Sequence, residues 1–425
     1  MSASDTHRAI ETVWRTESSR LIASLTRMLR DVGLAEELAQ DALVVALEQW
    51  PRVGVPENPG AWLMTTAKRR AIDRLRRSKL LERKHAQLMH ELEHEQEHAQ
   101  AAVEVALDDP FGDDLLRLIF VACHPLLSME ARVALTLRLL GGLSTDEIAR
   151  AFLVPEATVA QRIVRAKRSL AQAEVAYEVP RHDELHERLS SVLGVLYLIF
   201  NEGYSATSGE DWMRPGLCED ALRLGHVLAG LMPREPEVHG LVALMEIQAS
   251  RSAARVNAHG EPILLLDQNR ALWDHLRIRR GLTALEQSHR LGGADRPYAL
   301  QAAIAACHAR ASTSDDTDWA AIAGLYTTLA TVTPSPIIEL NRAVAVGMAA
   351  GAATGLQLAD ALVDEPILQN YHLLHAVRGD LLERMGRREE AREAFEKAAE
   401  LTGNRRERDL MERRARGCDG VAPAD

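Results

Sequence analysis

The spacing with the plainest chemistry is His90-Glu91-Leu92-Glu93-His94, an H-E-x-x-H, overlapped by a second one, His94-Glu95-Gln96-Glu97-His98. Two imidazoles four residues apart share a helix face and can hold zinc, with the intervening glutamate as a general base for hydrolysis. A zinc peptidase embeds that pair in a buried apolar helix and adds a third ligand from elsewhere. Here the flanks are almost wholly polar, so the motif reads as a solvated Glu/His-rich stretch and no metal ligand is assigned. The four cysteines, Cys123, Cys218, Cys307 and Cys418, form no C-x-x-C pair. That excludes a zinc ribbon or a disulfide framework and fits a reducing compartment. Phe200-Asn201-Glu202-Gly203-Tyr204, followed by Ser205, has the polar density of a small site, but a helix-ending turn accounts for Asn201 and Gly203. No nucleophile stands with a base, and there is no P-loop or dinucleotide fingerprint, so no catalytic residue and no cofactor is expected.

A different chemistry, recognition of phosphate, is written into residues 62–77. On a helix, Leu63, Thr66, Ala67, Ile72 and Leu75 fall along one side, while Lys68, Arg69, Arg70, Arg74, Arg76 and Arg77 fan across the others with Asp73 among them and Trp62 at the start. From Lys68 to Lys84 there are nine basic residues against two acidic ones, Asp73 and Glu82. Most charge runs are merely solvated faces, but these arginines largely lack acidic partners four residues away, which favours nucleic acid. The formal net charge of the 425 residues is -11, so placement matters more than the sum. From Glu91 to Asp114 nine acidic residues occur without a Lys or Arg, which suits an exposed connecting segment.

A second DNA-reading pattern follows. Gly141-Gly142 stops one helix, and Ser144-Thr-Asp-Glu147 is a capping box that starts the next, running to about Phe152. The turn Leu153-Val154 leads to Pro155, suited to the first position of a helix from Glu156 to about Leu170. This is helix-turn-helix spacing. Val159 and Ile163 face inward, while Thr158, Gln161, Arg162, Arg165, Lys167 and Arg168 spread over outer faces that suit a phosphate-flanked major groove.

The elements that must position these residues are all helical. Alanine and leucine abound, and no period-two strand run appears. Residues 5–49 read as two amphipathic helices broken near Asp31-Val-Gly33, the second burying Leu34, Leu38, Ala42, Val45 and Leu47. A Pro/Gly loop, Trp50 to Gly60, then ends it. The expected organisation is a domain over 5–85, an acidic His-rich linker over 86–112, and a helix-turn-helix domain over 113–175. The core of the latter would use Leu115, Leu118, Ile119, Val133, Leu137, Leu140, Ile148, Val159 and Ile163. A large helical domain over 180–425 follows, acidic and therefore no DNA surface. Near 371–402 it carries Gly379, Leu382, Gly386, Ala391, Phe395 and Ala398 at the positions of a tetratricopeptide helix pair, and Gly351 and Leu356 mark an earlier copy. Such pairs present a groove to a peptide or partner. The longest apolar run, Val192 to Phe200, is too short to span a bilayer, and the start lacks signal-peptide order, so a cytoplasmic protein without membrane insertion is expected.

Over residues 10 to 172 the chain resembles the sigma-70 family of RNA polymerase sigma factors, specifically the extracytoplasmic-function type with a long helical C-terminal extension. The resemblance implies core RNA polymerase and promoter DNA as partners. Ala35-Glu-Glu-Leu-Ala-Gln-Asp41 is similar to the family's polymerase-contacting helix, which makes Glu37, Gln40 and Asp41 the implied polymerase contacts. Trp62-Leu63 and Ala71-Ile-Asp-Arg-Leu-Arg-Arg77 resemble its minus-10 reading and melting helix. The Pro51 to Gly60 loop stands where the family captures a flipped base. Leu143 to Ala149, Ala157 to Arg162 and Arg165 to Lys167 resemble its minus-35 helix-turn-helix. Arg69 stands where Asn is frequent, Leu43 where Phe is, and Leu153, Pro155 and Ala157 replace the frequent Gly, Ser and Gly of the turn. The C-terminal domain is expected to regulate in cis, meeting a protein or ligand the sequence does not identify. The rival readings are a helix-turn-helix regulator with a tetratricopeptide-like sensor and, more distantly, a zinc hydrolase built on the linker histidines.

Overall fold

The computed structural model describes residues 3–87, 111–152, 154–205, 212–257 and 261–418. Among them all regular structure is helical, apart from one isolated bridge between Val256 and Pro262. The chain divides into two compact units, Met1–Val195 and Leu196–Asp425.

The first unit opens with three helices, α1 (Ala3–Leu29), α2 (Val32–Val53) and α3 (Pro59–Gln87). Arg30, at φ 53, turns the chain between α1 and α2, and Asp31 caps α2 by accepting from the Leu34 amide at 3.0 Å. Leu21, Ile22 and Leu25 of α1 share a core with Leu38, Ala42, Ala46 and Trp50 of α2 and Leu63, Ala67 and Ala71 of α3. Two expectations fail here. Leu47 is 37% exposed, because the buried stripe of α2 passes through Ala46 and Trp50 instead. Trp50 does not open the loop either: α2 carries it and Pro51 as far as Val53, and Gly54, at φ 88, ends the helix. Asn58 then caps α3 by accepting from the Ala61 amide at 3.0 Å.

Helices α4 (Phe111–Ala122), α5 (Met129–Leu139), α6 (Thr145–Phe152) and α7 (Glu156–Gln172) follow. All nine residues expected in their core are buried. The capping box is reciprocal: the Glu147 amide donates to Ser144 Oγ at 3.1 Å, and the Ser144 amide to Glu147 Oε2 at 2.7 Å. Asp114, expected in an exposed acidic segment, is instead 3% exposed and accepts from Arg27 at 2.9 Å and Arg117 at 3.0 Å. Its partner Arg27 lies 87 positions away in sequence terms that no local charge pattern registers.

Helix α8 (His182–Tyr204) follows, and the division between the units falls within it, not near residue 180. Its first turns belong to the first unit: Arg188 donates to the Phe120 carbonyl at 3.0 Å, and Ser191 donates to the Cys123 carbonyl at 2.6 Å while accepting from Arg132 at 3.0 Å.

The second unit continues through α9 (Pro215–Leu231), α10 (Pro236–Ala249), α11 (His275–Arg290), α12 (Pro297–Arg310), α13 (Trp319–Val332), α14 (Pro336–Ala350), α15 (Ala352–Asp360), α16 (His372–Arg384), α17 (Arg388–Leu401) and α18 (Arg405–Cys418). Most neighbouring helices pack against one another, Pro236–Ala249 also packing on Pro297–Arg310, and the tetratricopeptide positions make close contacts. A Cβ on Gly379 of α16 would come within 2.6 Å of the Phe395 ring of α17, and Gly386, at φ 74, turns the chain between them. Leu382, Ala391, Phe395 and Ala398 are buried in one cluster that also takes Leu356 of α15.

Candidate nucleic-acid interface

Helix α7 presents its polar row as its periodicity dictates. Val159, Ile163, Ala166 and Leu170 are buried at 1%, 5%, 2% and 5% exposure, which turns Gln161, Arg165 and Arg168 out to solvent and leaves Thr158 and Arg162 half-buried. Lys167 departs from that row. Its Nζ donates to the carboxylate of Glu36, so it is a partner of α2 and not a free outward cation.

Helix α3 buries Leu63, Ala67 and Ala71 and exposes Arg69, Asp73, Arg74, Arg76 and Arg77. Trp62, half-buried, stands edge-on to Trp50 with ring centroids 5.4 Å apart. Two basic side chains are engaged within the protein. Arg70 donates to Asp41 at 2.8 Å, although both remain more than two-fifths exposed. Lys68 is half-buried, and burial together with the neighbouring Arg27 holds its ammonium below the usual lysine pKa against the opposing pull of Asp114.

On α2, Glu37 is exposed, while Gln40 and Asp41 are half-buried. Sequence reasoning passed over the residue beside them. Glu36 is 3% exposed and takes three donors: Arg138 Nε of α5 at 2.6 Å, Gln40 Nε2 at 2.5 Å, and Lys167 of α7. A signal was present, since Glu36 falls on the inward stripe with Ala35, Leu38 and Ala39, where a carboxylate persists only when paired. Val44 and Leu47, 51% and 37% exposed, extend the Glu37–Gln40 face at helical spacing.

The other chemistry-bearing residues are structural. Glu202, 8% exposed, pairs with Arg214; the Arg214 amide donates to the Gly203 carbonyl at 2.8 Å; and the Arg255 guanidinium lies 3.5 Å from the Tyr204 ring centroid. A Cβ on Gly203 would meet the Cys218 amide nitrogen at 2.6 Å, so the Phe200–Tyr204 segment is a packing node. Burial pushes the Cys123 thiol up to about 11 and the Cys218 thiol up to about 12, which leaves both protonated and weakly nucleophilic near neutral pH. His90 to His98 and Leu153 lie outside the described residues. Among the described ones no group of three His, Cys, Asp or Glu side chains converges to hold a metal ion.

Comparison with known proteins bears on this geometry. A family model described as Sigma-70 region 2 matches residues 13–80, one described as Sigma-70, region 4 matches residues 117–170, and a family of unknown function (DUF6596) matches residues 188–289. An uncharacterized protein of Rhizobium meliloti (strain 1021) is 42% identical over 386 residues, 90% of this chain and 89% of the relative. The ECF RNA polymerase sigma factor SigK of Mycobacterium tuberculosis (strain ATCC 25177 / H37Ra) is 30% identical over 156 residues, 36% of this chain and 78% of the relative. A SigK of Mycobacterium sp. (strain KMS) is 44% identical over 62 residues, 14% of this chain and 31% of the relative.

Proposed function

The chain belongs to the sigma-70 family, as an extracytoplasmic-function sigma factor that joins core RNA polymerase and directs promoter-specific transcription initiation, and on that premise we propose how its residues divide the work. The observation that carries the assignment is the outward row of α7, Gln161, Arg165 and Arg168, held over a packed face and preceded by a complete capping box. With Thr158 and Arg162 this row reads the minus-35 duplex: phosphate contacts set register, and Gln161 and the arginines reach base edges. Lys167 joins them once it leaves Glu36.

The minus-10 element falls to α3. Arg69, Arg74, Arg76 and Arg77, exposed around Asp73, track phosphate, with Lys68 and Arg70 at the margin of the same surface. Extruding a base costs a few kcal/mol, which a stacking surface must offset, and Trp62, supported edge-on by Trp50, supplies one beside the Gly54–Asn58 loop. Glu37, Gln40 and Asp41 dock on the polymerase. The chemistry of RNA synthesis is the polymerase's, so no catalytic role is assigned to this chain, and its place of work is the cytoplasm, where polymerase and promoter are found. We further propose that the second unit regulates the first in cis, taking a protein or ligand of its own.

Neither alternative reading is favoured by the family matches, and one assay separates them. Run-off transcription with purified core enzyme on linear promoter DNA should yield product with this chain as the sole added factor. A helix-turn-helix regulator would give none until another sigma factor was supplied. A zinc hydrolase would hold stoichiometric zinc and lose activity on Glu91→Gln with Glu95→Gln.

A further inference from the structure

We propose that Val164 of α7 is a specificity residue, reading the C5-methyl group of one thymine in the major groove of the upstream promoter element. The inference rests on the sigma-factor reading above and adds which base chemistry that helix selects.

Val164 is 64% exposed, among the most exposed large apolar side chains of the described residues. A lone apolar residue on a surface is ordinary and by itself says nothing. Its position makes this one informative. Ala157, Ala160, Gln161, Val164, Arg165 and Arg168 are all exposed and fall at helical spacing on one stripe, opposite the buried side of α7. Val164 stands in the middle of that stripe, with Gln161 one turn before it and Arg168 one turn after it. Ala157 and Ala160 have no reach beyond Cβ, so Val164 is the apolar side chain of the stripe that extends furthest from the helix.

Valine gains nothing there in the free protein. A β-branched residue forms helix less readily than alanine, and at this exposure it buries little apolar surface. Its gain must come from the surface it meets. From Ala157 to Arg168 there are four basic residues and no acidic one, which directs the face to phosphate-lined duplex. In the major groove the base edges present hydrogen-bond donors and acceptors and one apolar substituent, the thymine methyl. Against any other edge the valine would strip water from a polar group that it cannot pair. Against that methyl, two apolar groups leave water together. Gln161 and Val164 are about 4.5 Å apart along the helix axis at 1.5 Å per residue, and a base-pair step is about 3.4 Å. The thymine therefore lies within about two base pairs of the pair that Gln161 reads.

The test uses the full chain bound to core RNA polymerase. A linear duplex library randomised across the promoter is enriched on this complex, and each thymine of the enriched upstream element is then replaced in turn by deoxyuridine. That exchange removes the methyl and keeps every hydrogen-bonding edge. For the parent, competition binding should show one position where deoxyuridine weakens binding about fourfold, the effect of burying one methyl group. The position should fall within about two base pairs of the one where Gln161→Ala loses discrimination. Val164→Ala should bind the thymine and deoxyuridine duplexes equally there, whereas Val164→Ile should keep the preference. Thermal unfolding of Val164→Ala should match or exceed the parent, which separates a lost contact from a lost fold. A methyl effect that persists in Val164→Ala, or a parent indifferent to deoxyuridine at every position, overturns the assignment. So does a Val164→Ala defect that appears as weaker polymerase binding without DNA. A library that does not enrich overturns the sigma-factor reading instead.

Discussion

At the residue scale, the recognition proposed for α7 divides into contacts with separable signatures. Arg165 is fully outward and Arg162 half-buried at the same edge, so alanine at either should weaken upstream duplex binding by the polymerase complex. Each lost phosphate contact should flatten the slope of log affinity against log salt by about 0.9, whereas a lost base contact would cost about 1–3 kcal/mol on the cognate sequence with the slope unchanged. Fluorescence anisotropy across a salt series distinguishes the two, and unaltered footprints for both variants would mean that another face meets DNA. The inward and outward positions of α7 were legible in the sequence because Val159, Ile163, Ala166 and Leu170 repeat with the helix. What was not legible was Lys167, whose partner Glu36 is 131 residues away: a cation's local pattern states its face, not what meets that face. Asp114 escaped for the same reason, since Arg27 of another helix pairs with it.

At the scale of the element, local chemistry decided some boundaries and tertiary packing others. The Ser144–Glu147 box fixed the start of α6 from sequence alone, because both of its bonds span three residues. Ser144→Ala should therefore cost about 1 kcal/mol of stability, visible as a lowered midpoint in thermal or urea unfolding of the full chain. The end of α2 was misjudged because Trp50 and Pro51 look like a loop start, yet Trp50 at 1% exposure is held in the helix by the core beneath it. That correction moves Leu47 to the surface with Val44, in line with Glu37 and Gln40. If the proposed polymerase-docking face continues onto these apolar residues, Val44→Glu should lower affinity for core enzyme at least tenfold, about 1.4 kcal/mol or more of lost binding free energy, while leaving the melting temperature within experimental scatter. A drop in melting temperature with intact affinity would place Val44 in folding instead. In the second unit a close helix contact makes the opposite prediction. Gly379→Ala drives a methyl to 2.6 Å from the Phe395 ring, and overpacking of this kind costs about 1–3 kcal/mol, so that variant should unfold earlier in denaturant while polymerase affinity holds.

For the whole molecule, the basic run from Lys68 to Lys84 and the acidic excess of the helical C-terminal part were visible in charge placement, but the dividing point between the compact units was not. Composition changes near residue 180, whereas Arg188 and Ser191 still bond into the first unit and carry its boundary to Val195. A truncation at 180 would strip those bonds and mix a folding defect with loss of regulation. The informative truncation ends at Val195, and its helix content, measured by circular dichroism, checks that the first unit stands alone. If the second unit regulates in cis, the 1–195 fragment should differ from the full chain at least severalfold in run-off product at equal polymerase occupancy. An increase identifies inhibition and a decrease identifies activation. Promoter output and polymerase affinity both matching the full chain would instead leave the second unit as a module with separate business, and the regulatory proposal would fall.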